Sequence, residues 1–314
     1  MKKSLKEIAK ETGYSLSTVS RALSGSRIIS ADTRNAIRAT AETMGYREKS
    51  KNVVIIPPSL WYSPYYAQMI GGISTGLLEC GFSSIVLPYL DISKLDDLNY
   101  CGVVSLLSGD ELCKDWSKRG NTPLISVNSM SNSLNNCHRV SGNDRQGLNL
   151  LVNYLVSKGH RRIARIGGTY SLDKENWSAV RRNRIYDELA DKHGLDKSML
   201  YGIPMELQSI MELLSNCLER NVTALLVLAE DYMLPVLYAI RLMRIKVPEE
   251  MTIVGWYYEK LCQYMERNFF GITHDYIAFG QKTAELMTRL YSGEKAVEDI
   301  SVDYLVSDPQ LICI

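Results

Sequence analysis

The stretch Ser15-Leu16-Ser17-Thr18-Val19-Ser20-Arg21-Ala22-Leu23 decides what the first part of this chain folds into. Ser15 favours the start of a helix, because its hydroxyl can accept an otherwise unpaired backbone N–H of the first turn. At about 100° per residue, one side of that helix is apolar and the other carries small hydroxyls and one arginine. The apolar side consists of Val19, Ala22 and Leu23, and the polar side of Ser17, Ser20, Arg21 and Ser24, with Leu16 on the border. This polar side suits a DNA major groove, since serines let the backbone approach phosphates and arginine can contact two acceptors of a guanine edge.

The neighbouring residues complete a unit of three helices. Ser4-Leu5-Lys6-Glu7 is a capping box that starts a first helix, with Ile8 and Ala9 facing inward. Gly13 provides the turn before the second helix, because glycine tolerates a positive φ. A third helix begins at Ser30 and runs through Ile37, Ala41 and Met44 to Gly45. Two helices around a glycine turn, closed by a third, predict a helix-turn-helix unit.

These motifs together resemble the headpiece of the lactose-repressor (LacI/GalR) family. The resemblance rests on Leu5–Ala9, Gly13–Leu23, Ser30–Arg34 and Met44–Tyr46, and it runs without a gap. It implies that the chain binds an operator in double-stranded DNA. The residues it places against DNA are Ser4, Leu5, Ser15, Leu16, Ser17, Arg21, Ser24, Ser30, Thr33 and Tyr46, with Thr33 and Tyr46 against phosphate. The alternative is a small helical core that binds no nucleic acid.

Length and charge fit a small DNA-binding unit followed by a larger core. A chain of 314 residues exceeds one ordinary domain. Residues 1–50 hold ten Lys and Arg against five Asp and Glu, whereas the whole chain holds 36 against 35. The excess positive charge therefore coincides with the predicted helix-turn-helix, where phosphates would have to be neutralised.

Several features predict a cytoplasmic protein without a metal or a cofactor. The seven cysteines are scattered and form no Cys-x-x-Cys pair, which favours free thiols in a reducing compartment. Residues 1–4 lead into a charged helix, so we expect no signal peptide. The sequence contains no run of about eighteen apolar residues, so we expect no membrane-spanning helix. The four histidines, His138, His160, His193 and His274, lack the spacing of metal ligands.

After a polar linker at 47–52, short apolar runs alternate with amphipathic helices. This alternation predicts parallel sheets covered on both faces, with ligands at the carboxyl ends of the strands. The runs are Val53–Ile56, Ile85–Leu87, Val103–Leu107, Leu124–Val127, Ile163–Ile166, Ala224–Ala229 and Met251–Gly255. The helices include Tyr65–Cys80, Gln146–Lys158, Val180–Lys192 and Tyr232–Met243.

This second region is similar to the effector-binding core of the same family, in the blocks Ser63–Ile73, Gly159–Gly168 and Val247–Gly255. The expected fold class is an all-α helix-turn-helix headpiece plus an α/β core of two doubly wound parallel-sheet subdomains, like the type I periplasmic binding proteins. We expect a headpiece at 1–46, a linker at 47–52 and a core at 53–314. The first subdomain would span about 53–158 and 274–303, and the second about 159–273 and 304–314, with crossings near Gly159, Thr273 and Asp303.

The resemblance also implies an effector site between the subdomains. The residues it places there are Tyr65, Tyr66, Asn143, Arg181, Glu230, Trp256, Tyr257 and His274. Three positions depart from the family's pattern: Asn143 stands for an Asp, Glu230 follows Ala229 where an Asn is usual, and Tyr257 replaces a carboxylate. A sugar site usually combines several acceptors with a flat aromatic ring. The sequence keeps the aromatic residues and an arginine of such a site but has fewer carboxylates. The alternative for Arg181 is an ordinary solvent-exposed arginine on the surface of its helix.

The linker departs from the family as well. Most members carry a hinge helix with a leucine that wedges into the minor groove and kinks the DNA. Residues 47–52 contain no leucine. The resemblance is therefore to the subgroup with a short linker that lacks the hinge-helix motif, among which are regulators of β-galactoside genes. On that basis we expect a sugar effector, with a galactoside as one candidate.

The predicted function is a ligand-modulated DNA-binding repressor that acts as a homodimer, since one recognition helix reads only a few base pairs. The chain ends at Ile314 without heptads, so we expect no tetramer. One rival is a soluble sugar-binding protein of the periplasmic type, which would leave the headpiece unexplained. Another is an enzyme on a doubly wound fold, but none of the glycine-rich phosphate-binding or nucleophile motifs occurs.

Overall fold

A computed structural model describes the chain at residues 4–23, 26, 28–46, 50–58, 64–107, 112–116, 118, 122–129, 137–167, 177–258, 269–294 and 299–306. The chain divides into two compact units. Residues 1–51 with 99–101 form the first unit, and 52–98 with 102–314 form the second. Within the described residues, no helix is long and apolar enough to cross a membrane.

The first unit contains the three predicted helices, α1 (Leu5–Thr12), α2 (Leu16–Leu23) and α3 (Ala31–Thr43). The capping box is present, because the Ser4 hydroxyl accepts the Glu7 N–H while the Glu7 carboxylate accepts the Ser4 N–H. Gly13 ends α1 in the left-handed region at φ 71°, as a tight turn requires. The buried core of this unit consists of Ile8, Val19, Ala22, Leu23, Ile37 and Ala41. The headpiece fold predicted from the sequence is confirmed.

The second unit contains two six-stranded sheets. The first sheet has the order β11-β5-β4-β3-β1-β2 and is entirely parallel. Its strands are β1 (Asn52–Ile56), β2 (Ser83–Val86), β3 (Gly102–Ser105), β4 (Leu124–Val127), β5 (Cys137–Gly142) and β11 (Asp299–Val302). The connections of this subdomain include α4 (Pro64–Glu79), a 3-10 segment (Tyr89–Asp97) and α5 (Cys113–Trp116).

The second sheet has the order β12-β10-β9-β8-β6-β7, with only β12 antiparallel to its neighbour β10 among the described strands. Its strands are β6 (Ile163–Ile166), β7 (Leu200–Tyr201), β8 (Ala224–Val227), β9 (Thr252–Trp256), β10 (Phe270–His274) and β12 (Tyr304–Val306). The helices after β5 are α6 (Asp144–Ser157), α7 (Trp177–His193), α8 (Leu207–Glu219), α9 (Glu230–Met243) and α10 (Tyr276–Ser292). A helical headpiece and two parallel-sheet subdomains are the fold class that the sequence predicts.

Among the described elements, the chain passes between the two sheets three times, at Asn143, after His274 and at Asp303. The sequence places the first crossing near Gly159, after α6, and this position is wrong. Helix α6 packs Leu148, Leu151 and Leu155 into the core of the second sheet, so the crossing precedes α6. The amphipathic pattern of α6 could not show this, because an apolar helix face fits either sheet.

Helices α4 and α10 are held together by glycines next to the second crossing. A Cβ added to Gly72 would lie 2.1 Å from the carbonyl oxygen of Tyr276, and one added to Gly76 would lie 2.5 Å from the Gly280 backbone. The glycines therefore allow the two helix backbones to touch. Gly71, one residue earlier, has nothing within 4 Å of its added Cβ and plays no part in this packing.

Candidate functional site

The outer side of α2 carries the residues predicted to read DNA. Ser17, Ser20 and Arg21 are exposed, while Val19 and Ala22 on the opposite side are completely buried. Leu16 is also exposed, at 44% of its surface. The Ser15 hydroxyl accepts the Thr18 N–H at 3.1 Å and lies 2.9 Å from the Ser17 hydroxyl. The start of α2 thus combines a capped N-terminus with exposed hydroxyls and one arginine, which is the chemistry that phosphate and base-edge contacts need.

The other predicted DNA contacts lie at helix starts or against the small core. Ser30 caps α3, since its hydroxyl accepts the Thr33 N–H, and it also donates to the Thr33 hydroxyl at 2.8 Å. Ser4 is exposed at the start of α1. Leu5 and Tyr46 are partly buried against the core of the headpiece, so both also serve the fold. Ser24 lies outside the described residues.

In the second unit, buried charges meet where the chain crosses between the sheets. The Arg182 guanidinium, on α7, donates from Nε to the Asp144 carboxylate at 3.0 Å and from Nη2 to the Tyr304 hydroxyl at 3.0 Å. Tyr304 in turn donates to the same carboxylate oxygen of Asp144 at 2.7 Å. The Arg182 guanidinium also lies 4.0 Å from the centre of the Trp256 ring. Arginine, carboxylate and phenol thus satisfy one another inside the second subdomain.

A second group of polar side chains, two buried and two partly buried, comes from both subdomains. Asn128, directly after β4, donates from Nδ2 to the Tyr65 hydroxyl at 2.7 Å, and its Nδ2 lies 3.2 Å from Nε2 of His274. The His274 Nδ1 lies 2.5 Å from Oε1 of Glu230, and both side chains are buried. Tyr65 and Asn128 belong to the first subdomain, and His274 and Glu230 to the second. We call these four residues the inter-subdomain cluster.

Burial and neighbouring charges shift the pKa values of Glu230, Tyr65 and the nearby Tyr304 in different directions. Burial would raise the pKa of Glu230, but His274 and the Arg182 guanidinium outweigh burial and hold it below its usual range. Burial raises the pKa of Tyr65 despite the hydrogen bond from Asn128. Burial also raises the pKa of Tyr304, and the charge of Asp144 adds to the increase. At neutral pH Glu230 is therefore ionised and both phenols keep their protons.

The structure distributes the predicted effector residues over different surroundings. Arg181 is partly exposed, and its Nε lies 3.4 Å from the Asp144 carboxylate while Nη2 donates to the Gly142 carbonyl at 3.2 Å. Asn143 caps α6 and donates to the Asp303 carboxylate at 2.8 Å, which links the first crossing to the third. Tyr66 packs edge-on against Tyr65 with ring centres 5.1 Å apart.

Two of the predicted aromatic residues are core residues. Trp256 is fully buried among α6, α7 and the second sheet, and its indole Nε1 has no partner among the described residues. Tyr257 is buried on the other side of that sheet and packs edge-on against Phe269. Neither side chain joins the inter-subdomain cluster, so the structure corrects the expectation that both face the effector.

Sequence reasoning missed Asn128, Arg182, Asp144 and Tyr304. Asn143 occupies a position where the family has an Asp, but the next residue, Asp144, has a buried carboxylate that binds Arg182. A cue for Asn128 was available, because it directly follows a buried strand of a predicted parallel sheet, where ligand-binding residues gather.

A cavity of about 530 Å³ lies beside the crossings. Helices α4 and α10 line it with Gln68, Thr75 and Gln281, and the ends of β10 and β12 add His274 and Leu305. Of the predicted effector residues, only His274 contributes to its wall. No group of His, Cys, Asp and Glu among the described residues is arranged to hold a metal ion.

Two family profiles match this chain. Residues 4–48 match the profile described as bacterial regulatory proteins, lacI family. Residues 152–304 match that of the periplasmic binding protein-like domain. The first match covers the three-helix unit, and the second covers most of the second subdomain together with α10.

Curated relatives align over most of their length. The HTH-type transcriptional regulator MalR of Streptomyces coelicolor is 22% identical over 320 residues, which cover 93% of this chain and 91% of that protein. The HTH-type transcriptional regulator AscG of Escherichia coli is 24% identical over 277 residues, which cover 80% of each protein.

Solved structures share the fold over the whole chain. The complex of the transcriptional regulator CelR with cellobiose has a TM-score of 0.69 at 22% identity, covering 98% of this chain and 99% of the other. The Lac repressor bound to ONPG has a TM-score of 0.73 at 18% identity, with the same coverage.

Proposed function

This chain belongs to the LacI family of bacterial regulatory proteins, and from that premise we propose that it is a sequence-specific DNA-binding repressor whose operator affinity is set by a small ligand. The observation that carries the proposal is the exposed Ser17, Ser20 and Arg21 side of a capped recognition helix. That helix belongs to a headpiece matched at 4–48, and the same chain contains a two-subdomain core. A sugar-binding protein without a DNA role would have no use for that surface.

In this proposal Arg21 and Ser17 contact base edges, while residues at the helix starts contact phosphates. Ser4, Ser15, Ser30 and Thr33 sit at the N-termini of α1, α2 and α3, where unpaired N–H groups and the helix dipole favour an anion. Leu16 is exposed on α2 and would meet a thymine methyl or a sugar edge. Ser24, Leu5 and Tyr46 complete the proposed surface.

The ligand would bind between the two subdomains, near Tyr65, Asn143, Arg181 and Glu230. CelR is solved with cellobiose and the Lac repressor with ONPG, so a saccharide is the first class to test for this chain, with galactosides included. The cluster supports such a ligand through phenol, amide and imidazole groups, because each can form hydrogen bonds with hydroxyls. A ligand that binds one closure state better than the other would shift DNA affinity by that difference.

We further propose that the protein works in the cytoplasm as a homodimer on a pseudo-palindromic operator. The Lac repressor is solved as a dimer on its operator, and helices α4 and α9 would supply the contact here. Tyr238 and Leu242 on α9 are exposed at 46% and 48%, as an unpaired apolar face would be. Within this scheme 1–46 is the headpiece and 47–52 the linker, and the core begins at 53.

Selection from random double-stranded DNA with the purified full chain tests the DNA-binding function. We expect an enriched pseudo-palindrome, and enrichment of no sequence would contradict the proposal. A thermal-shift screen of mono- and disaccharides then tests the ligand. If a sugar stabilises the protein, Arg181→Ala should weaken its effect on operator binding and leave ligand-free binding intact. An unchanged response of that variant would place the ligand elsewhere.

A further inference from the structure

Two buried thiols meet at the end of the first sheet that is remote from the crossings. Cys137 is the first residue of β5, and Cys113 is the first residue of α5. The two residues are 1% and 3% exposed, and their sulfur atoms lie 3.1 Å apart. Both are free cysteines. The proposed function uses neither thiol.

Neighbouring contacts fix the position of each thiol. Cys137 is paired with Leu124 in the parallel ladder of β5 and β4, so it lies at the amino end of the sheet. On α5, Trp116 is 1% exposed and its indole Nε1 donates to the Thr122 carbonyl at 2.7 Å. This bond ties the short helix to the residues that lead into β4. The fold therefore brings together two cysteines that are 24 residues apart in the chain.

The gap between the two sulfurs is short enough to close. A disulfide bond is about 2.0 Å long, so the sulfurs have to approach each other by about 1.1 Å. Small rotations of both side chains about their Cα–Cβ bonds supply that movement without a shift of the β4–β5 ladder. In the reduced protein the Cys137 thiol donates to the Cys113 sulfur, and a hydrogen bond to sulfur stabilises its thiolate form. Cys113 is therefore the sulfur that reacts first.

We propose that Cys113 and Cys137 form a redox modification site, in which a small peroxide converts the two thiols into a disulfide between α5 and β5. The Cys113 sulfur attacks hydrogen peroxide, the O–O bond breaks, and a sulfenic acid and one water result. The Cys137 sulfur then attacks the sulfenic sulfur, the S–S bond forms, and a second water leaves. The sulfurs lose two electrons to the peroxide oxygens, and the two thiol protons end in the waters.

Burial selects the oxidant for this site. Oxidation of a cysteine depends on its exposure, and a bulky disulfide such as glutathione disulfide cannot reach sulfurs that are this deeply buried. Hydrogen peroxide is close to water in size. Cys80, which directly follows α4, is exposed and therefore open to both oxidants. In a reducing compartment the pair stays as thiols, and a disulfide formed there is typically transient and redox-sensing.

Disulfide mapping of the purified full chain tests the proposal. The reduced protein is treated with hydrogen peroxide or with glutathione disulfide, the remaining thiols are alkylated, and the peptides are identified by mass spectrometry without reduction. We expect peroxide to join Cys113 to Cys137, and glutathione disulfide to modify Cys80 and leave the pair as thiols. Alkylated Cys113 and Cys137 after peroxide treatment, separate sulfinic acids on the two residues, or glutathione bound to either of them would overturn the proposal.

Melting temperatures show whether the fold accommodates the bond. The cross-link encloses residues 114–136 and restricts the unfolded chain, so the oxidised protein should melt roughly 3–10 °C above the reduced protein. Cys113→Ser should abolish both the cross-link and this rise. Cys217→Ser, at a buried cysteine in the core of the second subdomain, is the matched control and should keep both. An oxidised wild type that melts no higher than the reduced protein would overturn the proposal.

The mapping on wild type requires no variant, so the proposal stays falsifiable if Cys113→Ser does not fold. Neither experiment uses DNA or a sugar. A failure here would therefore leave the proposed function untouched, and a failure to select an operator would leave this site untouched.

Discussion

Replacing Gly72 by alanine should destabilise the core, although alanine is the better helix former. The added Cβ would lie 2.1 Å from the Tyr276 carbonyl oxygen, whereas ordinary contact begins at 3.4 Å. The obstacle is backbone, so it cannot rotate away, and α4 and α10 must separate locally by roughly 1.3 Å. Overpacking of this kind costs about 1–3 kcal/mol, against a helix gain of about 0.5–1 kcal/mol. The net effect is a loss of up to about 2.5 kcal/mol.

Thermal unfolding followed by circular dichroism measures this loss, and the neighbouring glycine supplies the control. Gly71 belongs to the same helix, is exposed, and has open space where its Cβ would be. Gly71→Ala should therefore raise the melting temperature by the helix gain alone. The two variants should move in opposite directions relative to wild type. If Gly72→Ala is as stable as Gly71→Ala, the close contact between α4 and α10 does not exist.

Three further predictions concern the charges of the core, the assembly and the DNA. Glu230→Gln should lower the melting temperature most at neutral pH, because ionised Glu230 stabilises the fold above its ordinary pKa of 4.5. The pKa of Glu230 in the folded protein is lower, and the stabilisation is lost as the pH falls through that folded pKa. A gap between wild type and variant that fails to shrink below about pH 4 would contradict this. Sedimentation should give twice the chain mass of 35.5 kDa at micromolar concentration, and a monomer would remove the basis for a two-fold operator. Residues 47–52 contain no leucine that could wedge between base pairs, so we expect the protein to bend its operator less than a hinge-bearing relative does. A circular-permutation gel assay on the selected site measures the bend angle for both proteins. An equal bend would mean that another residue supplies the wedge.

The headpiece could be predicted in detail because its signals are local. The capping box at Ser4 and Glu7 and the turn at Gly13 each involve residues at most three positions apart. Ser15 and Ser30 cap their helices as expected from the same short-range chemistry. Helix ends set by neighbouring side chains need no knowledge of the rest of the fold.

The inter-subdomain cluster could not be predicted from local sequence signals, because its four residues come from distant parts of the chain. Trp256 and Tyr257 show the difficulty. Successive residues leaving a strand point to opposite faces of the sheet, so Trp256 enters one core layer and Tyr257 the other. Matching to a family pattern assigned both to the ligand, since a pattern gives positions and not the direction of side chains.

Asn128 and Arg182 show what else the sequence left undetermined. Arg182 lies next to the predicted Arg181, and only the rotation of α7 decides which guanidinium is buried against Asp144. Asn128 takes its role from a left-handed φ and from Gly142 across the sheet. Both depend on packing between elements, which local patterns do not encode.

The measurement that tests the central claim most directly is the affinity of wild type and Arg21→Ala for the selected operator and for each single-base variant of it. Arg21 is exposed on the polar side of α2, and a bidentate contact with a base is worth about 1–3 kcal/mol. We predict that Arg21→Ala binds the operator roughly 5- to 150-fold more weakly and loses its base preference at one position in each half-site. Equal affinity, with an unchanged preference at every position, would show that α2 does not read DNA in this protein.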